Sequence, residues 1–467
     1  MGFRQHFFAP VPWYDGTVYT LAFLAFLLAV AMHLFVLRAF PRWHLLDFPE
    51  RYGLLRSRLP YPTGIISVLC FLLFYALFEA WTMQAAGVFV AVVFMTAVSF
   101  VDDRAPLPFS LRLSVQILAA LVIFLMGTRI YSLTNPLEGL MDMPVIDLDS
   151  FVIVSPLFSN PSILGALFTV LWLGLTMNAL NWFDGIPGQV SALSTIGFLT
   201  IGFLSLSERV GQPHLALLAF ILAGVAFAAL VFDFPPAKVL MGDTGAMFFG
   251  LMLGVLTIYT GGKVATAFLV LGVPLIDSVI VGFRRISRGR SPFKGNMQNE
   301  HLHHRLLKKG WTPRRIIVLT ALIGAGFGTT ALFLDTMEKF LSALVLFGIM
   351  LLLSWYSRSS LYHLIVYVPL SHADIVRAVL SKAGAGKIGK YDSCSFSMRG
   401  TGRFRPLKGA EPAIGSEGTI EEVPEERIEA VVTKEAMEDA IRAVRHVHPY
   451  EEPAIHALPM EDDKDFL

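Results

Sequence analysis

The sequence predicts a polytopic α-helical membrane protein that carries a small soluble α+β domain at its C-terminus, and three observations predict it. The 467 residues are 55% hydrophobic and only 16% charged, with a mean hydropathy of +0.62, which is more apolar surface than a soluble fold can bury. Eleven apolar windows of about the length that crosses a bilayer lie between residues 17 and 356. From about residue 361 the composition changes to that of a soluble domain. The expected domains are therefore 1–356, embedded in the membrane, and 361–467.

The windows are 17–37, 62–80, 87–101, 111–127, 163–181, 190–206, 215–232, 245–260, 264–283, 315–334 and 338–356, the third being short. The first sixteen residues hold aromatics and prolines without a basic cluster, and no small-residue cleavage site follows, so the first window is expected to stay. Cys70 inside a window and Cys394 in the tail make neither a disulfide framework nor a zinc site. Loops 38–60, 102–112, 182–189, 233–244 and 284–315 hold eighteen Lys and Arg, whereas the opposite set holds Arg4, Arg129, Arg209 and Lys263. The positive-inside rule puts the first set in the cytoplasm, the N-terminus outside and the C-terminus inside.

Taken in order, the first basic loop offers a local Asp47–Arg51 pair, with Arg56 and Arg58 either reaching phosphates or serving only as topogenic charge. The third window ends in Phe100-Val-Asp-Asp-Arg-Ala-Pro, where the adjacent acids Asp102 and Asp103 repel each other and oppose the helix dipole. Residues 128–162 read as a solvated connection with a short hairpin. The fifth window ends in Asn178-Ala-Leu-Asn-Trp-Phe-Asp-Gly-Ile-Pro-Gly188, which places Asn178, Asn181 and Asp184 on one stripe. That stripe suits phosphate, uracil, sugar hydroxyls or a metal-bound water, or else a polar seam between helices.

The seventh window leads through Asp233-Phe-Pro-Pro-Ala-Lys238 into Lys238-Val-Leu-Met-Gly-Asp-Thr-Gly-Ala-Met-Phe-Phe-Gly250. Lys238 is a point charge suited to phosphate. Asp243 sits at a helix start, where backbone N–H groups favour anions and a carboxylate can hold a cation beside a phosphate, or can simply cap the helix. Asp277 falls inside the ninth window, as a functional acid or as a partner of Arg284 or Arg285. His301, His303, His304 and Arg305 follow in one cytoplasmic loop; three histidines without a nearby cysteine suit phosphate donation better than zinc, and a solvated basic patch is the alternative. In the tail, a strand at 361–368, a helix at 371–383, strands within 391–432, a helix at 434–447 and a strand at 454–460 suggest a ferredoxin-like sandwich.

These motifs, in this order and on one side of the membrane, resemble the polyprenyl-phosphate N-acetylhexosamine-1-phosphate transferase family across residues 17–356. The resemblance implies transfer of a sugar-1-phosphate, foremost N-acetylglucosamine-1-phosphate, from a UDP-sugar to undecaprenyl or another polyprenyl phosphate, with UMP released and a surface glycan started. It implies Mg²⁺, with Mn²⁺ as a substitute, held by Asp243. Asp102, Asp103 and Asp184 would be catalytic, and Asn178, Asn181, Lys238, Asp277, His301, His303, His304 and Arg305 would bind substrate. The implied place is a bacterial inner membrane with a cytoplasmic active site, and the implied partners are the two substrates and the membrane, not nucleic acid. Another UDP-N-acetylhexosamine or a muramyl-pentapeptide donor stays open. Two departures stand out: Pro187 replaces the second acid of the usual Asp-Gly-Leu-Asp-Gly, and Arg51-Tyr-Gly-Leu replaces the usual Arg-Lys-x-His.

The tail resembles a second family, the PII/CutA-like domain inserted in GTP cyclohydrolase type 2 homologues. The carriers are His363-Leu-Ile-Val-Tyr-Val-Pro369, Gly384-Ala-Gly-x-Ile-Gly389, Tyr391-x-x-Cys-Ser-Phe396, Gly400-Thr-Gly-x-Phe404 and His448-Pro-Tyr-Glu-Glu-Pro453. A fold is implied, without catalysis, and a homo-oligomer, either a trimer through this domain or a dimer through the membrane part. His448, Glu451 and Glu452 either form a structural turn or bind a cation. A transporter or a ligand-regulated sensor is the rival class, but transporter sites gather near the midplane between repeats, whereas these candidates lie at one surface.

Overall fold

The computed structural model describes residues 16–49, 56–135, 145–149, 151–153, 161–260, 269, 271–287, 289, 300–357 and 361–460. It separates into two compact units, Met1–Tyr356 and Ser357–Leu467.

The first unit is helical: α1 (Thr17–Arg42), α2 (Gly64–Phe78), α3 (Met83–Arg104), α4 (Phe109–Leu125), α5 (Ile163–Phe183), α6 (Gln189–Leu206), α7 (Pro213–Asp233), α8 (Gly242–Tyr259), α9 (Gly272–Ser287), α10 (Leu302–Lys308), α11 (Pro313–Phe333) and α12 (Thr336–Tyr356). Among the described residues eight helices are long and apolar enough to cross a membrane, while α2 and α4 are shorter apolar helices. The chain is thus a multi-pass membrane protein. The third predicted window was drawn too short, because α3 runs on through Asp102, Asp103 and Arg104 and starts at Thr82, whose hydroxyl accepts from the Ala85 amide. The ninth window lies partly outside the described residues; its described helix, α9, extends past the window to Arg284 and Arg285. On the opposite side from the acids, β1 (Ser132–Thr134) and β2 (Val145–Asp147) pair antiparallel, the hairpin expected there.

Helix α8 lies at the centre of this unit and is buried along nearly its whole length. Small residues let its neighbours approach. A Cβ on Gly250 would stand 2.7 Å from the Met177 Cα, and one on Gly254 would stand 2.7 Å from the Thr176 hydroxyl oxygen. This Gly-x-x-x-Gly stripe seats α8 against α5. Trp172 adds a buried bond from its indole N–H to the Thr257 hydroxyl at 3.0 Å. At the other end of the interface, Gly64 of α2 meets Gly245, where an added Cβ would lie 2.2 Å from the Gly245 nitrogen. The end of α5 and the start of α8 are therefore held side by side.

In the second unit, β3 (Leu361–Pro369), α13 (Ala373–Lys382), β4 (Phe396–Phe404), β5 (Glu421–Thr433), α14 (Lys434–Val447) and β6 (Ile455–Met460) follow in the predicted order. The antiparallel sheet runs β4-β5-β3-β6. Leu364, Val366, Val368, Ile428, Ala430 and Val432 alternate on one face and meet Val376, Leu380, Ala440 and Val444 of the two helices.

Candidate active site

Two clusters of polar side chains meet at the end of α5. The first is acidic. Asp103 accepts four hydrogen bonds: from the Tyr61 hydroxyl at 2.6 Å, the Asp243 amide at 2.9 Å, the Thr244 amide at 3.0 Å and the Thr244 hydroxyl at 2.5 Å. It caps α8 from another helix, and the anion expected at that helix start is this carboxylate. Gly242 is required by the same contact: its φ is +77°, and a Cβ there would lie 2.8 Å from both Asp103 Oδ2 and the Tyr61 ring.

Asp243 is thereby aimed away from the cap. Its side chain keeps 34% exposure, with Arg112 Nη1 at 3.7 Å and the Asn181 Nδ2 donor at 3.4 Å. The same Arg112 nitrogen is 3.3 Å from Asp102, which also accepts the Leu107 amide at 2.6 Å. Asp102 thus positions Arg112 and closes the turn after α3. Asp184 follows the last residue of α5. Burial, reinforced by the charges of Asp233, Asp243 and Asp103, pushes its carboxyl well above the usual range. Asp233 is buried, accepts from Ser191 at 2.5 Å, and leaves Oδ1 without a hydrogen-bond partner among the described residues.

Among the described residues the acids of this cluster outnumber its cations, and Asn181 Oδ1 is buried without a hydrogen bond. All the available donors are oxygens, the set that suits a hard cation. Among the described residues no three His, Cys, Asp or Glu form a ready-made metal cage.

The second cluster is imidazole. Asp277 holds His301 Nδ1 at 2.8 Å and accepts the Leu302 amide at 3.0 Å, so it orients the ring and starts α10. The alternative pairing of Asp277 with Arg284 or Arg285 does not form: Arg284 donates to Ser354 at 2.8 Å and Arg285 pairs with Glu300. His301 and His303 lie nearly parallel with ring centres 6.0 Å apart, and His304 is 4.1 Å from His303. Both His303 nitrogens are buried without a hydrogen-bond partner among the described residues. Gly185 joins the two clusters, since it follows Asp184 and a Cβ there would lie 2.0 Å from His303 Nε2.

Burial, with like charge from His304, His301 and Arg305, pushes the His303 imidazole well below its ordinary range. The unfolded chain protonates this ring as pH falls through about 6.5, and the native chain does not. Its contribution to stability is therefore present above that pH and lost below it. Thermal unfolding in detergent from pH 7.5 to 5.5 should fall more steeply for the natural chain than for His303→Asn; parallel curves would remove the assignment.

Several predicted site residues have other engagements. Asn178 is paired with Gln116, donating to its Oε1 at 2.6 Å, so it joins α5 to α4. Arg305 clamps the end of α12 through the Ser354 carbonyl at 2.8 Å and hydroxyl at 2.9 Å. Each thus also ties helices together in this structure. Lys238 is exposed beside the acidic lip in sequence. Asp47 pairs with Arg56 at 2.6 Å, and the expected partner Arg51 lies outside the described residues. In the tail, His448 Nε2 donates to the Tyr367 carbonyl at 2.8 Å and Nδ1 accepts the Tyr450 amide at 3.1 Å. Both nitrogens are used, so the structural turn replaces the cation site.

Sequence reasoning missed Arg112, Tyr61, Thr244 and Gln116. A signal existed for two of them: Arg112 and Gln116 are four apart at the start of an apolar helix, hence on one face.

The model of the glycosyl transferase family 4 matches residues 85–261, a span that contains Asp102, Asp103, Asn181, Asp184 and Asp243. The chain is 30% identical over 291 residues to the decaprenyl-phosphate N-acetylglucosaminephosphotransferase of Mycobacterium leprae, covering 56% of this chain and 69% of that one. The chain belongs to glycosyl transferase family 4. It is also 33% identical over 185 residues to a probable undecaprenyl-phosphate N-acetylglucosaminyl 1-phosphate transferase of Bacillus subtilis, covering 38% of this chain and 51% of the relative. The C-terminal part is 44% identical over 111 residues to a GTP cyclohydrolase 1 type 2 homolog of Halalkalibacterium halodurans, which covers 24% of this chain. The chain spans about half the length of the Bacillus relative and 30% of the Halalkalibacterium one. This family 4 member therefore joins a membrane unit of one kind to a tail of another.

Proposed function

We propose that the membrane unit transfers a sugar-1-phosphate, foremost N-acetylglucosamine-1-phosphate, from a UDP-sugar to a polyprenyl phosphate and releases UMP. The observation that carries this reading is Asp243, partly exposed among uncompensated acids and beside the partnerless Asn181 oxygen. The names of the family 4 relatives support the substrate pair. On this reading all eleven windows cross the membrane and the acidic lip is cytoplasmic, in line with the basic loops. The tail is read as a ferredoxin-like sandwich, in line with its element order.

The reaction brings two polyanions together, so neutralisation and positioning carry most of the catalysis. Mg²⁺, held by Asp243 with the Asn181 oxygen and Asp184 within the same acidic group, would supply charge neutralisation on the pyrophosphate oxygens. Arg112, set between Asp102 and Asp243, offers its guanidinium to a phosphate of the lipid or the donor. The polyprenyl phosphate is largely dianionic at pH 7, its second pKa being about 6, so no carboxylate has to remove a proton from it. Asp103 then acts by fixing the backbone that carries Asp243, and Asp277 by orienting His301. On this reading His301 and His304 would donate to the donor's phosphates or sugar.

Purified chain in detergent, given undecaprenyl phosphate and a panel of UDP-sugars, should release UMP only with lipid and with Mg²⁺ or Mn²⁺. UDP-N-acetylglucosamine is the expected best donor. No UMP from any donor would sink the transferase reading, and a different best donor would correct only the sugar.

A further inference from the structure

The second unit contains a cavity of 420 Å³ that the transferase reading does not use, lined by Tyr367, Phe404, Tyr450, Glu425, Glu451 and Glu452 together with the loop between β4 and β5. Glu425 is only 8% exposed. Its Oε1 accepts the Tyr450 hydroxyl at 2.8 Å. The carboxylate lies flat across β4 because Gly402 is there: a Cβ at that position would be 2.3 Å from Oε2. A carboxylate this buried is costly unless an opposite charge offsets its own, and the fold makes room for it.

The surroundings define what would satisfy it. The Tyr450 ring is held by the Glu425 bond, by Phe404 edge-on at 5.5 Å and by the Tyr450 amide bond to His448. Burial and the Glu425 carboxylate push the Tyr450 hydroxyl upward, so it stays a donor across the neutral range. Glu451 ties down the loop by accepting the Glu411 amide at 3.0 Å. Arg403 also lines the cavity, but its Nε is bonded to Glu422 at 2.6 Å. Three carboxylates and three aromatic rings thus line one space, where Arg403 is paired with Glu422 and Glu452 has Arg445 at 3.7 Å on its outer side. Phosphates and nucleotides would be repelled, whereas a cation gains from both the carboxylates and the ring faces. A cavity of this size falls in the range of small-ligand sites.

We propose that this cavity binds a small organic cation bearing N–H donors, an amine or a guanidinium, with the cation bonded to Glu425 and its carbon chain against Tyr367, Phe404 and Tyr450. The site is independent of the transferase reading.

Equilibrium dialysis of radiolabelled agmatine against the full chain in detergent micelles tests it. One saturable site per chain is expected. Glu425→Gln should weaken binding about tenfold or more, as loss of a charged hydrogen bond does. Ala413→Trp, which fills the cavity from the exposed loop and leaves Glu425 untouched, should weaken it as much, so a folding defect in the first variant does not decide the matter. Glu417→Gln, away from the lining, should bind as the natural chain does. Choline, a cation without N–H donors, should compete about tenfold less well than unlabelled agmatine, and UMP and inorganic phosphate should not compete. Absence of saturable binding, unchanged affinity in both cavity variants, choline equal to agmatine, or competition by UMP or phosphate would overturn the proposal.

Discussion

Asp243→Asn is expected to lower UMP release about a thousandfold, the scale of losing a group aimed at developing charge, and to leave the unfolding temperature unchanged or raised. Among the described residues the Asp243 side chain has only the 3.4 Å contact from Asn181 and the 3.7 Å approach of Arg112, both tolerant of an amide. It also sits among like charges, so neutralising it relieves repulsion when no cation is bound. Asp103→Asn should behave differently. Its two oxygens accept bonds from Tyr61, from two amides and from the Thr244 hydroxyl. An amide NH₂ would face N–H or O–H donors on one side, and bonds to a charged acceptor are worth roughly 1.5–3 kcal/mol each. The Asp103 variant should therefore lose thermal stability along with activity. Turnover above a tenth of the natural rate in Asp243→Asn, or unchanged stability in Asp103→Asn, would show that the carrier and its support have been exchanged.

That pair of adjacent roles marks the limit of what the sequence alone conveyed. The apolar windows fall on helices because length and hydropathy are local properties, and the tail's element order was readable from alternation and turn residues. The acids gather at one lip because each lies at a helix end that topology puts on the same side. Which acid is satisfied and which is available depends on partners about 140 residues away, such as Asp103 with the Asp243 and Thr244 amides. Periodicity carries no trace of such a contact. Arg305 looked like a phosphate ligand because it follows three histidines, yet the turn of α10 directs it to Ser354. Arg112 looked like topogenic charge, yet α4 carries it to Asp102 and Asp243. A charged side chain's task follows from the helix face that bears it, and that face is fixed only when the helices pack.

Gly185→Ala is the second substitution expected to have a large effect, a loss of about a hundredfold in kcat/KM for the UDP-sugar. The added Cβ would lie 2.0 Å from His303 Nε2, 2.6 Å from His303 Cδ2 and 2.9 Å from His304 Cε1. No rotamer change of the methyl group exists to relieve this, so the rings or the turn after Asp184 must move by more than an ångström. Misplacement on that scale costs about a hundredfold when a reaction relies on positioning. His303 packs edge-on against Phe183 at 5.1 Å, which resists retreat into the core. The displacement should instead pass to Asp184 on one side or to His304 on the other, so both clusters lose register from one methyl group. Gly174→Ala, within the helix α5 that leads into this turn, is the matched control, because nothing lies within 4 Å of its added Cβ. Removing a mid-helix glycine there should stabilise by roughly 0.5–1 kcal/mol with activity retained. Kinetics with UDP-N-acetylglucosamine, with thermal unfolding on the same preparations, separates the cases. Equal activity in the two variants would mean that the imidazole cluster and the acidic cluster work independently.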